Sequence, residues 1–237
     1  MGIQRKELFN SVFALRWLVF LIGLLIMAFG IALMIKANIG SAPWDVLHVG
    51  LYYQFGLTIG TWSIIIGFFI IGLTTLLTKQ RPLFGAFLNM LLVGVFIDFY
   101  LLLPILKTPS SFMGKLVMLL IGIIVIGYGI GLYIAANCGA GPRDSLMLAL
   151  TEKVGLKVQW VRGIMELVVL FFGWLLGGPV SIGTLIFSFS IGSIVGFTLP
   201  QCRTFVNGIF ERGVADENIN KRPLWLNNHD GISKKAR

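Results

Sequence analysis

The chain has 237 residues, of which 57% are hydrophobic and 12% charged, with a formal net charge of +9. Soluble domains carry about 25% charge, so this composition excludes an ordinary soluble fold and puts most of the chain in lipid. The basic excess does not point to nucleic acid, because the Lys and Arg residues sit at the ends of apolar runs and in the C-terminal tail, with no solvated basic face left over.

In chain order, Arg5 and Lys6 precede the first apolar run, as they would in a signal peptide. The run continues to Ile35 without a small-residue cleavage pattern, so it reads as a retained first span. Crossing the hydrocarbon core takes about 20 apolar residues as helix. Six windows meet that length: 17–35, 59–78, 83–103, 116–136, 158–176 and 180–199. The predicted fold is all-α, a polytopic transmembrane helical bundle of six spans. Two further helices, over 43–54 and 142–154, reach only about 18 Å, roughly half a bilayer. They are expected to be re-entrant or to lie at the interface.

The chain is internally duplicated. Residues 21–57 align without gaps on 120–156, with 16 identities in 37 positions. Shared hydrophobicity explains some Leu and Ile matches but not an ordered Asn-x-Gly-x-x-Pro-x-Asp, which recurs as Asn38, Gly40, Pro43, Asp45 and as Asn137, Gly139, Pro142, Asp144. A looser match follows: Gly85 and Gly94 are nine residues apart, as are Gly183 and Gly192. Each copy reads as a long span, a Gly/Pro break, a short helix and two more spans. With three spans per copy, the second copy enters the membrane from the opposite side.

The charges agree with that inversion. Arg5, Lys6, Arg16, Lys79, Arg81, Arg143, Lys153, Lys157, Arg162, Arg203 and Arg212 fall on one side, and only Lys36, Lys107 and Lys115 on the other. The positive-inside rule puts both termini in the cytoplasm of a bacterial cell. Cys138 and Cys202 then lie on the reducing side and make no disulfide framework. The expected domain plan is a transmembrane domain over 1–202, with repeats at about 12–106 and 113–202, followed by a basic cytoplasmic tail over 203–237 that favours anionic lipid.

The repeated break has a structural reading and a functional one. Asn and Gly end a helix, Pro suits the first position of the next, and an Asp in that first turn complements the helix dipole. Irregular backbone at membrane depth also survives only where it is buried in protein or lines a cavity. Two such breaks approaching from opposite sides would line a common substrate or ion pocket from Asn38, Gly40, Pro43, Asp45, Asn137, Gly139, Pro142 and Asp144. Glu166, near the middle of the fifth window, costs about 2.5–3.5 kcal/mol in lipid and needs a partner, which Arg162 one turn earlier supplies. Glu166 and His48 are the candidates for a proton-linked role. Asp98 reads as interfacial and Asn89 as an interhelical hydrogen bond. Trp17, Trp44, Tyr52, Tyr53, Trp62 and Trp160 read as interfacial anchors. The copies differ at Trp44/Arg143, His48/Met147 and Lys36/Ala135. No catalytic, nucleotide, metal or cofactor motif is present, so no enzyme activity is expected.

The Asn-Ile-Gly-Ser-Ala-Pro-Trp-Asp segment and the stretch from Gly85 through Asn89 and Gly94 to Asp98 resemble the YczE/YyaS/YitT group of bacterial membrane proteins, most closely its YczE branch. That resemblance implies a small-molecule transporter or exporter of the cytoplasmic membrane, and, with no nucleotide loop in the sequence, such transport is expected to be gradient-driven. The alternative is a non-transport scaffold or assembly factor supporting the biosynthesis or secretion of a secondary metabolite. The expected partners are the lipid bilayer, a small-molecule substrate and, as an allowed assembly, a second copy of the chain.

Overall fold

The computed structural model describes residues 2–82, 84–139, 141–156 and 158–220. Among these, the chain is all helical: α1 (Gly2–Ala37), α2 (Pro43–Phe55), α3 (Ile59–Thr78), α4 (Phe84–Leu102), α5 (Phe112–Ala135), α6 (Pro142–Val154), α7 (Val158–Leu175) and α8 (Ile182–Asn220). Among the described residues, five helices are long and apolar enough to cross a bilayer: Phe13–Ala37, Ile59–Thr78, Phe84–Leu102, Phe112–Ala135 and Ile182–Ile209. The protein is therefore a helical membrane bundle. The fifth expected window is the 18-residue α7, which carries Arg162 and Glu166 and is not among those five. The last window does not end at 199: α8 runs through Pro200 to Asn220, so the first part of the expected tail continues a helix. The rest of that tail, 221–237, lies outside the described residues.

The helices begin where local chemistry satisfies their free N–H groups. Thr58 Oγ1 accepts from the Thr61 N–H at 3.1 Å ahead of α3, and Ser111 Oγ accepts from the Gly114 N–H at 3.1 Å ahead of α5. Asp98, near the end of α4, reaches to the start of α3, where its carboxylate accepts from the Gly60 N–H at 2.8 Å and from the Thr58 hydroxyl. The two breaks match. α1 ends at Ala37 with Asn38 at φ +53° and Gly40 at φ +107°, and α5 gives way to Asn137 at φ +59° and Gly139 at φ +134°. Pro43 and Pro142 then open α2 and α6, each 13 residues long.

α1 and α5 form the centre of the bundle, and they run antiparallel. Gly23 abuts Gly129 and Tyr133, while Gly30 abuts the Gly122 carbonyl and Ile126. These four glycines let the two backbones approach far more closely than larger side chains would allow. Phe20, Leu24, Met34, Ile97, Leu119 and Ile123 fill the surrounding core. α4 lies along α1, and α8 along α5. The short helices cross over: α2 packs on α7, and α6 on α3. Gly50 of α2 meets Leu176 and the Gly173 carbonyl, and Trp44, Ile70 and Leu146 form a small core between α2, α3 and α6.

The Gly85/Gly183 match has a tertiary meaning. Gly85 at the start of α4 sits against the Cys138 carbonyl of the second break. Gly183 at the start of α8 sits against the first break, and its N–H donates to the Ile39 carbonyl at 2.8 Å. Each break is thus covered by a glycine of the opposite copy.

Candidate functional site

α2 and α6 start close to each other in the middle of the molecule, and between them lies a cavity of about 180 Å³. All eight helices contribute to its wall. Most of the lining is apolar, from residues such as Ile31, Ile70, Val93, Ile130 and Ile191. The polar groups are Asp45, His48, Ser63, Asn89, Tyr133, Arg143, Asp144, Arg162 and Glu166. A mainly apolar cavity with a few convergent polar groups is the usual form of a small-molecule site.

Repeat-equivalent residues meet across this cavity. The Arg143 guanidinium lies 4.9 Å from the centre of the Trp44 ring, a cation–π arrangement between the two positions where the copied motif diverges. Trp44, read from sequence as an interfacial anchor, is buried at 9% exposure because its ring forms the floor under Arg143. The same guanidinium is 4.0 Å from Asp45 Oδ1.

The two aspartates differ in their partners. Asp144 accepts a 2.6 Å hydrogen bond from the Tyr133 hydroxyl. The position equivalent to Tyr133 in the first copy is Met34, which offers no donor. Asp45 is 1% exposed, and its Oδ1 makes no hydrogen bond. His48, also 1% exposed, has Nδ1 3.8 Å from that oxygen, and this nitrogen likewise makes no hydrogen bond. Asn89 was expected to bond between helices, but its Nδ2 is buried without a partner. Buried polar atoms normally find partners, so three orphans facing one cavity mark a place that holds something or that accepts a proton. Glu166 accepts from Arg162 Nε at 3.0 Å, the pairing its place in an apolar helix requires.

Of the residues singled out in the sequence, the cavity brings together Asp45, His48, Pro142, Asp144 and Glu166. Asn38, Gly40, Pro43, Asn137 and Gly139 do not line it. Asn38 and Asn137 are exposed and turn the chain out of α1 and α5, Gly40 and Gly139 lie under α8 and α4, and Pro43 starts α2. These five shape the breaks that aim the aspartates inward. Sequence reasoning did not place Tyr133, Trp44, Arg143 and Asn89 in the cavity. Its one usable signal for them was the mismatch of Trp44 with Arg143.

The chain matches the model of a family described as a family of unknown function, DUF6198, over residues 14–200. It is 48% identical over 203 residues to the uncharacterized membrane protein YczE of Bacillus subtilis, covering 85% of this chain and 93% of the relative. It is 36% identical over 185 residues to an uncharacterized protein of Haemophilus influenzae, covering 76% and 82% of the two chains. It is 29% identical over 175 residues to the uncharacterized protein YyaS of Bacillus subtilis, covering 73% and 86%. No solved structure matches the chain.

Proposed function

From the premise that this chain belongs to the DUF6198 family, within its YczE-like group, we propose that it is a gradient-driven carrier of a small molecule across the bacterial cytoplasmic membrane, working outward and without a catalytic step. The observation that carries this reading is the buried Asp45 carboxylate, with Oδ1 and the neighbouring His48 Nδ1 unpartnered at a cavity walled by both copies. A carboxylate held this way is costly unless it exchanges a proton, a cation or a hydrogen-bonding ligand. Asp144 and Glu166, each already paired, hold the other side of the same cavity.

In this reading α7 is the sixth crossing, and the two halves form an inverted repeat with both termini cytoplasmic. The antiparallel course of α1 and α5 and the reciprocal packing of α2 on α7 and α6 on α3 support it. Sites at the interface of inverted repeats, framed by short or broken helices, are the common plan of secondary transporters.

The test is flux in proteoliposomes under an imposed pH gradient, using solutes taken from an efflux screen of a deletion strain. Asp45→Asn and Glu166→Gln each abolish gradient-dependent flux while insertion and melting temperature are retained. Flux indifferent to Asp45→Asn, Glu166→Gln and Asp144→Asn overturns the assignment and favours the scaffold reading, which needs none of these carboxylates.

A further inference from the structure

In the first copy, α3 and α4 are closed against each other. Gly60 meets the Gly94 carbonyl and Asp98, and Gly67 receives the Met90 side chain. The corresponding seam of the second copy, α7 against α8, forms no comparable interface among the described residues. The repeat mates of Met90, Gly94 and Asp98 are Ser188, Gly192 and Gly196, and all three are exposed along one stripe of α8. A Cβ at Gly192 or Gly196, or at Gly163 on α7, would meet no described atom within 4 Å.

The cause lies on α7. Where Gly67 makes room for Met90, the second copy has Glu166, bonded to Arg162. Closing α8 over that ion pair would strip water from two charges with no new partner offered. The cavity reaches this open seam, since Glu166 and Met165 of α7 and Phe187, Ile191 and Val195 of α8 line it. Glu166 keeps 20% of its side chain exposed although it lies mid-helix.

We propose that the α7/α8 seam is a lateral portal from the bilayer into the cavity, and that the ligand is a membrane-dissolved amphiphile with a protonated amine head. This rests on the carrier reading of the cavity and deepens it. The head follows from charge and hydrogen bonding: three carboxylates, Asp45, Asp144 and Glu166, face two guanidiniums, Arg143 and Arg162, and Asp45 Oδ1 is a buried acceptor without a donor. The tail follows from size and surroundings. The cavity of about 180 Å³ is smaller than the roughly 300–1,000 Å³ that encloses a whole drug-sized ligand. It takes the head, and the chain stays in the seam between Phe189 and Leu185 of α8 and the apolar, exposed Ile164 and Leu167 of α7.

The experiment uses the full chain in lipid nanodiscs and two probes: a long-chain primary amine with a dansyl group at its far end, and its N-acetylated twin, which keeps the chain and loses the charge. The amine binds about tenfold or more tighter than the twin, and Asp45→Asn erases that difference. Gly192→Trp and Gly196→Leu, both added into open space, slow association about fivefold or more at unchanged melting temperature. Equal binding of amine and twin overturns the ligand class. Binding that responds to Asp45→Asn but associates at the wild-type rate in both seam variants overturns the portal and leaves the carrier site standing. No amine binding, in a protein whose flux of another solute still depends on Asp45, overturns the amphiphile and not the carrier. A wild-type dimer that Gly192→Trp converts to monomer shows a second copy covering the seam and overturns the portal.

Discussion

Met34 and Tyr133 occupy one position in two copies, and only Tyr133 offers a hydroxyl: Asp144 accepts its hydrogen bond, while Asp45 Oδ1 makes none. Removing the Tyr133 hydroxyl takes a hydrogen-bond donor away from the half-buried Asp144 carboxylate. Tyr133→Phe is therefore expected to cost about 1–3 kcal/mol, read as a lower melting temperature in detergent. Phe in place of Tyr keeps the ring that packs edge-on against Phe20, so a loss of stability reports the hydroxyl and not the packing. Asn38 and Asn137 give a second residue-scale prediction. Both hold left-handed backbone at exposed positions, where Asn and Gly are tolerated and β-branched residues are not. Asn137→Gly is expected to be neutral within experimental error, and Asn137→Val to destabilise by about 1–2 kcal/mol in the same melt. Equal melting temperatures for the two would remove the helix-ending role assigned to this residue. The asparagines were legible in the sequence as breaks. Their absence from the cavity was not, because a residue that turns the chain need not face what the turn encloses.

At the scale of elements, glycines decide which helices meet. Twenty-nine glycines were visible in the sequence, with close helix packing as their default role, but composition does not say which of them touch another backbone. The structure separates them. Gly129 faces the backbone of Met27, and Gly85 faces the carbonyl of Cys138, whereas Gly192 and Gly196 face open space. Gly129→Val and Gly85→Ala must therefore force backbones apart, at a cost of about 1–3 kcal/mol or more. Gly192→Ala lacks that clash and replaces a helical glycine with the best helix former, so it is expected to be neutral or slightly stabilising. Thermal melts of the three variants in one detergent check the ranking, and a Gly192→Ala loss as large as that of Gly85→Ala would mean the α7/α8 seam is closed in solution. The nine-residue spacing of Gly85/Gly94 and Gly183/Gly192 was legible as a repeat. Gly94 is packed against Ile64 and the Gly60 carbonyl, whereas Gly192 meets no described atom, and the spacing alone does not separate the two.

At the scale of the whole molecule, the duplication and the charge bias make a topological prediction. Gln54 and Lys153 are repeat mates at the exposed ends of α2 and α6. In a background lacking Cys138 and Cys202, single cysteines at 54 and 153 are expected to react with a membrane-impermeant maleimide from opposite faces, 54 in intact cells and 153 only after permeabilisation. Labelling of both from one face would remove the inverted arrangement while leaving the helical bundle intact. The cavity is a meeting place of unlike residues from like positions of the two copies. Trp44 and Arg143 hold equivalent positions of the two copies, and they stack because one is a ring and the other a guanidinium.

The sequence by itself determined the membrane class, the helical fold, the repeat and the two breaks, because apolar run length, the Gly/Pro/Asn chemistry of helix ends and ordered identity are all local properties of a chain. It also pointed to Asp45, Asp144 and Glu166, since a carboxylate in an apolar context is conspicuous wherever the chain later goes. Only the tertiary structure decided what those carboxylates face. Whether Asp45 finds a donor depends on Met34, ahead of it on α1, and on Arg143, which lies in the other copy. Whether α7 meets α8 depends on side chains of both helices, the Arg162–Glu166 pair among them. Those are properties of side chains brought together by folding, and spacing along the chain carries no trace of them.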